Sequence, residues 1–139
     1  MKILQAFAYI IGIFTLLFSI WQYYKNSKRE RARWLFELYQ RFYDRDDFKE
    51  VRERIEAQNL PLESDNAKWN STIDDYFNFF EFVAYLEKQG QLTRGEVRAM
   101  FDYQLDLIAK KRETIDYLGK YGYEQLVSLL KKMRYPKEK

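Results

Sequence analysis

Residues 3–24 carry no charged side chain, while residues 25–33 hold Lys25, Lys28, Arg29, Arg31 and Arg33 with Glu30 as their only acid. No other feature narrows the possible structures so far. As a helix rising 1.5 Å per residue, the uncharged run reaches about 33 Å, enough for a hydrocarbon core of about 30 Å. Ile, Leu and Phe dominate it, each worth about −0.5 kcal/mol toward insertion. Gln5 and Gln22 lie near its ends, where an amide costs least, and Trp21, Tyr23 and Tyr24 stand where an interfacial aromatic belt belongs. A cleaved export signal fits less well, because one lysine precedes the run and bulky "WQYY" ends it in place of a small-residue cleavage site. A buried globular helix would be shorter and would show a polar face. The expectation is a retained single transmembrane helix over residues 1–24.

Charge sets the expected orientation. Lys2 alone precedes the run and the basic cluster follows it, so the positive-inside bias places residues 25–139 in the cytoplasm and the N-terminus outside. The protein is expected in the inner (cytoplasmic) membrane as a single-pass chain. Lys25, Lys28, Arg29, Arg31 and Arg33 form a collar at the membrane surface, where each cation attracts anionic headgroups by about 1 kcal/mol.

The run is not uniform. Gln5, Ala8, Gly12, Thr15, Ser19, Gln22 and Asn26 follow one another at alternating steps of three and four, which puts them on one stripe of a helix. Helices in lipid associate by close approach of small residues and by interhelical hydrogen bonds. The stripe therefore predicts a self-association seam and a homo-oligomer. The opposing reading is a lone span whose hydroxyls bond back to their own helix.

The remainder reads as helices throughout. No Gly falls between Gly12 and Gly90, and the first Pro is Pro61, so the anchor should run on unbroken to about residue 43, roughly 60 Å in all. There Leu35, Leu38, Tyr39 and Phe42 share a face. Further helices are expected at 46–57, 71–89, from 94 to 112 or beyond, and 123–134, with a loop at 58–70. Gly90 is the expected stop of the third helix. Thr93 and Glu96 make a capping box, Leu92 and Val97 a hydrophobic staple, and Gly119 and Gly122 bracket a turn. Pro136 closes the last helix. The helix at 71–89 is apolar on two faces, so it should be the central helix of a bundle or an interface helix. The predicted fold is all-α: one N-terminal transmembrane helix continuing into a cytoplasmic bundle of about four to five helices over residues 25–139.

Composition excludes most site chemistry. With no Cys and no His, the chain has no thiolate nucleophile, Cys/His zinc site, Ser-His-Asp triad or disulfide. Of the formal charge of +3, Lys2 supplies one, leaving +2 on residues 25–139, too little to mark a nucleic-acid binder. Aromatics at 19% are far too many for a disordered chain. Asp74, Asn78 and Glu81 share a helix face, as do Asp102 and Asp106, but without a ligand loop they read as solvated acids, so no metal and no cofactor is expected. Lys110, Lys111, Arg112, Lys120 and Tyr121 place cations beside aromatics and are the candidate site for an anionic, nucleotide-like ligand. Favourable charge at a helix C-terminus explains the same residues without a ligand.

Two stretches, "WLFELYQRFYDRDDFKEVRERI" and "DDYFNFFEFVAYLEKQGQLTRGEVRAMFDYQLDLI", resemble a family of uncharacterised small bacterial helical proteins with one N-terminal span. The resemblance covers roughly residues 33–133 and includes an N-x-x-E-like core, here Asn78 to Glu81. It implies the helical architecture and supplies no catalytic residue. The plan is also similar to that of bacterial antiviral effectors, in which a cytoplasmic domain senses a signal and the spans perturb the membrane. The expected function is thus a membrane-anchored, self-associating, non-enzymatic helical binding or sensing module. The alternative is a signal-gated, pore-forming or membrane-disrupting effector triggered by a nucleotide or a protein.

Overall fold

The computed structural model describes the backbone of residues 2–135 and the side chains of Gln5 and residues 11–135. Every regular element among them is helical: α1 Lys2–Tyr43, α2 Asp46–Glu56, α3 Ala67–Lys88, α4 Arg94–Lys110, α5 Arg112–Lys120 and α6 Glu124–Met133. The chain is all-α. It divides into two compact units, residues 1–41 and residues 42–139. The boundary expected near residue 24 falls inside α1, which is unbroken there.

The first unit is α1 up to Arg41. With no proline, and with Gly12 its one glycine, α1 has nothing in it to interrupt the backbone ladder. Its described side chains from Ile11 to Trp34 are all exposed, apolar and basic alike. Further along, Leu38 is buried, Leu35 is half-buried and Tyr39 is exposed.

The second unit is a bundle built around α3. Helix α2 buries Phe48, Val51 and Ile55 on one face, and Asp46 and Asp47 lie in its first turn, where the helix dipole favours negative charge. Helix α3 starts at Ala67, four residues before the expected 71. The reason is a cap: the Asn66 side chain accepts the Trp69 backbone N–H at 3.1 Å. The Trp69 indole N–H donates to the Pro61 carbonyl at 2.8 Å, and the Asn70 amide bonds Ser64 through both its oxygen and its nitrogen, at 3.1 and 2.6 Å. These bonds convert the end of the expected loop into helix. Along α3, Ile73, Tyr76, Phe77, Phe80, Val83, Ala84 and Leu86 are buried, and the helix packs on α2, α4 and α6. It is the central helix. Gly90 stops it with φ +71°, a left-handed conformation that costs glycine little.

Helix α4 opens with the expected capping box: Thr93 Oγ1 accepts the Glu96 N–H at 3.1 Å, and the Glu96 carboxylate accepts the Thr93 N–H at 2.8 Å. It ends earlier than expected, at Lys110. Lys111 is extended, and α5 begins as a separate helix. The break resets the phase of burial. An uninterrupted helix would carry the stripe of Phe101, Leu105 and Ile108 on to Arg112 and Ile115. With the break, Thr114, Tyr117 and Leu118 face inward instead.

Phe42, the penultimate residue of α1 and part of the bundle unit, is fully buried in a cluster of rings. Its centroid lies 5.6 Å from Phe48, 5.6 Å from Tyr76, 5.0 Å from Phe80 and 5.5 Å from Phe101, mostly tilted or edge-on, as ring quadrupoles prefer. Beside it the buried Tyr76 hydroxyl donates to Gln104 Oε1 at 3.1 Å, so neither polar tip lacks a partner.

Candidate functional site

The first candidate is the outer surface of α1. From Ile11 to Tyr24 its large apolar residues are all exposed, Phe14 at 69% and Ile20 at 46%, and they cover every face but one stripe. Phe18 lies against Trp21 with centroids 5.7 Å apart, and Lys25 Nζ sits 4.8 Å above the Trp21 ring. Arg33 pairs with Glu37 at 3.0 Å. Of the seam residues, Gly12, Thr15, Ser19, Gln22 and Asn26 are exposed along one stripe, and Gln5 is exposed as well. The Ala8 side chain lies outside the described residues. The Thr15 hydroxyl donates to the Ile11 carbonyl and the Ser19 hydroxyl to the Thr15 carbonyl, both at 2.8 Å. Their protons are thus used within the helix, while each oxygen keeps an outward acceptor site. A Cβ added at Gly12 would meet nothing within 4 Å.

Among the described residues no helix is long and apolar enough to cross a membrane. Residues 11–24, whose side chains are described, rise about 21 Å as a helix, short of the roughly 30 Å core. The rest of the uncharged run, apart from Gln5, lies outside the described side chains. The described side chains alone therefore do not make up the transmembrane span expected over residues 1–24.

The second candidate is the cation–tyrosine set, and the fold separates its members. Lys110 and Lys111 line a cleft of about 20 Å³ with Ile55, Leu60 and Thr114, and the Lys111 ammonium donates to the Gln58 carbonyl. Arg112 is exposed and faces Asp116 at 3.8 Å. Lys120 and Tyr121 sit elsewhere, both bonded to Glu63 Oε1, at 2.8 and 2.7 Å. The hydrogen bond from Lys120, and then that from Tyr121, hold the Glu63 carboxyl below its usual range, and Lys120 is raised in turn. A phosphate approaching Lys120 would have to displace that carboxylate.

Three of the acids weighed as metal ligands, Asp74, Glu81 and Asp102, and one that was not, Glu87, have other work. The Tyr117 and Tyr123 hydroxyls both donate to Asp74 Oδ1 at 3.2 Å. Burial, and next the Asp74 charge, push both phenols far above the ordinary tyrosine value. The Glu81 carboxylate accepts the backbone N–H groups of Gln125 at 3.0 Å and Leu126 at 2.7 Å. It caps α6, whose own N-cap residue, Tyr123, provides no side-chain bond. Glu87 receives Arg94 at 3.4 Å and Lys132 at 3.2 Å. Asp102 accepts the Tyr135 hydroxyl at 2.6 Å. Among the described residues no three acids are grouped as metal ligands would be. Sequence reasoning missed the roles of Asp74, Glu81 and Asp102, since their partners lie 33 to 49 residues away along the chain. The start of α6, with no Ser, Thr, Asp or Asn just before Glu124 to cap it, was the one available signal.

A concavity of about 650 Å³ opens between α2, the loop before α3 and the first turns of α3, lined by Asp46, Glu50, Arg54, Pro61, Trp69 and Thr72. Arg54 reaches Glu50 at 3.0 Å and lies 4.9 Å above the Trp69 ring.

Comparison with protein-family models, with curated proteins and with solved structures finds no match to this chain.

Proposed function

We propose that the chain is a membrane-anchored, self-associating, non-enzymatic helical binding module. In this reading residues 3–24 span the bilayer within α1, the N-terminus lies outside, and residues 25–139 lie on the cytoplasmic side. The observation that carries it is the exposure of large apolar side chains on every face of α1 except the seam, from Ile11 to Tyr24, directly followed by cations. Hydrating such a surface is unfavourable by about 25 cal/mol for every Å² of apolar area, and lipid removes that cost. A helix can enter lipid because its backbone bonds are satisfied internally.

The seam supports association through Gly12, where neighbouring backbones can approach, and through the amides of Gln22 and Asn26. A scaffold is favoured over a gated pathway because the Thr15 and Ser19 protons are already donated to their own helix. The non-enzymatic reading is supported by the chain's lack of His and Cys and by the structural work of Asp74, Glu81 and Glu87.

Extraction of cell membranes at alkaline pH tests the anchor. The chain should stay with the lipid, and release with peripheral proteins would defeat the proposal. Single cysteines in this Cys-free chain test the seam: positions 12, 15 and 19 should crosslink in membranes and positions 13 and 17 should not. Equal crosslinking at all five would remove self-association through this stripe.

A further inference from the structure

The basic collar is not an even ring. With about 100° per residue, Trp21, Lys25, Lys28 and Arg29 fall within an arc of about 100° on α1. The seam residues from Gly12 to Asn26 centre about 120° away round the helix. Arg33 lies on the seam side, where Glu37 neutralises it at 3.0 Å. Glu30, the one acid among the collar residues, is about 140° from Lys25. Lys25 leans over Trp21 at 4.8 Å, while Lys28 and Arg29 have no ionic partner among the described residues. The uncompensated cations thus share one face with the interfacial tryptophan, centred away from the seam, with Arg29 at the edge nearest Gln22.

We infer that Trp21, Lys25, Lys28 and Arg29 form a binding site for the phosphate headgroup of an anionic phospholipid, on the face of α1 turned to lipid when copies meet through the seam. This rests on the anchored reading of α1. Trp21 marks the depth of the interface, where an indole places its apolar body in hydrocarbon and its N–H among headgroups. Lys28 and Arg29 stand about two turns beyond Trp21, about 11 Å further along, at the level of the phosphates. Arginine offers a planar pair of donors that matches a phosphate, and the two lysines add point charges that can move to meet it. Charge complementarity selects the lipid class: a zwitterionic headgroup brings its own cation to the site, whereas an anionic one does not.

The full chain is reconstituted in mixed vesicles of phosphatidylglycerol and phosphatidylcholine and extracted with its nearest lipids, which are then quantified by mass. Phosphatidylglycerol should be enriched over its bulk share. The double substitution Lys28→Gln, Arg29→Gln should lower that enrichment by about fivefold per cation at low salt. Gln keeps helix propensity close to that of Lys and Arg, so α1 is retained. Arg33→Gln should leave the enrichment unchanged. Retention of both lipids at bulk proportions would overturn the site, as would an equal loss from Arg33→Gln. A chain that fails to stay with the vesicles at all would instead overturn the anchored reading, and the site with it.

Discussion

The two units place their apolar residues in opposite ways. In the bundle, Phe42, Phe48, Tyr76, Phe80 and Phe101 are turned inward until almost nothing of them is exposed. In the first unit, Phe14, Leu16, Phe18 and Ile20 stand outward around a single helix. Both arrangements obey the same rule that apolar surface leaves water. The bundle meets it with its own side chains, and in the proposed reading lipid meets it for the helical arm. A substitution of one kind should therefore have opposite consequences in the two places.

The largest expected effect is in the bundle. Phe42→Ala empties the centre of the ring cluster and should destabilise the bundle by about 3–5 kcal/mol in chemical denaturation. Phe14→Ala in the arm should leave the same transition within about 0.5 kcal/mol. If both shifted it alike, the contrast between the units would be wrong. Next is a charge in the arm: Leu16→Lys should weaken membrane partition by about 2.5–3.5 kcal/mol while the denaturation midpoint of the bundle stays where it was.

The buried phenol of Tyr76 gives a pH test. Burial raises its pKa above the unfolded value, so the folded form keeps its proton where the unfolded chain has lost it. Stability from this group is complete below about pH 10 and falls as pH rises beyond it. Denaturation midpoints should thus decline above that pH, and Tyr76→Phe should flatten the decline. A smaller effect is expected from Glu81→Ala, which uncaps α6 at a cost of about 1–2 kcal/mol and should raise amide exchange first at Gln125 and Leu126. The smallest is Arg112→Ala. Its pair with Asp116 is almost fully exposed, and the transition should move by less than about 0.5 kcal/mol.

Much of the helical order was legible because it rests on local chemistry. Apolar spacing marks Phe48, Val51 and Ile55, the Thr93–Glu96 box marks the start of α4, and Gly90 marks the end of α3. The early start of α3 depends on Asn66, a cap readable only once Trp69 is known to reach Pro61. The break at Lys111 has no glycine or proline to announce it. It follows from which side chains the bundle needs inside. The candidate sites were less legible for the same reason. Lys120 looked like an unclaimed cation until Glu63, 57 residues away, proved to face it. Glu81 looked solvated until the fold brought α6 to it. In the arm, neighbours along the helix decide the pairing of Arg33 with Glu37 and the back-bonded hydroxyls, so those interactions could be read directly.

The cap on α6 has a consequence for how the chain acquires its shape. A helix of ten residues without an N-cap of its own is a poor helix in isolation. The carboxylate it needs belongs to a residue synthesised more than forty positions earlier. The last helix is therefore not a building block that forms and then docks. It is written by the surface it lands on, and its order measures whether α3 has already taken its place.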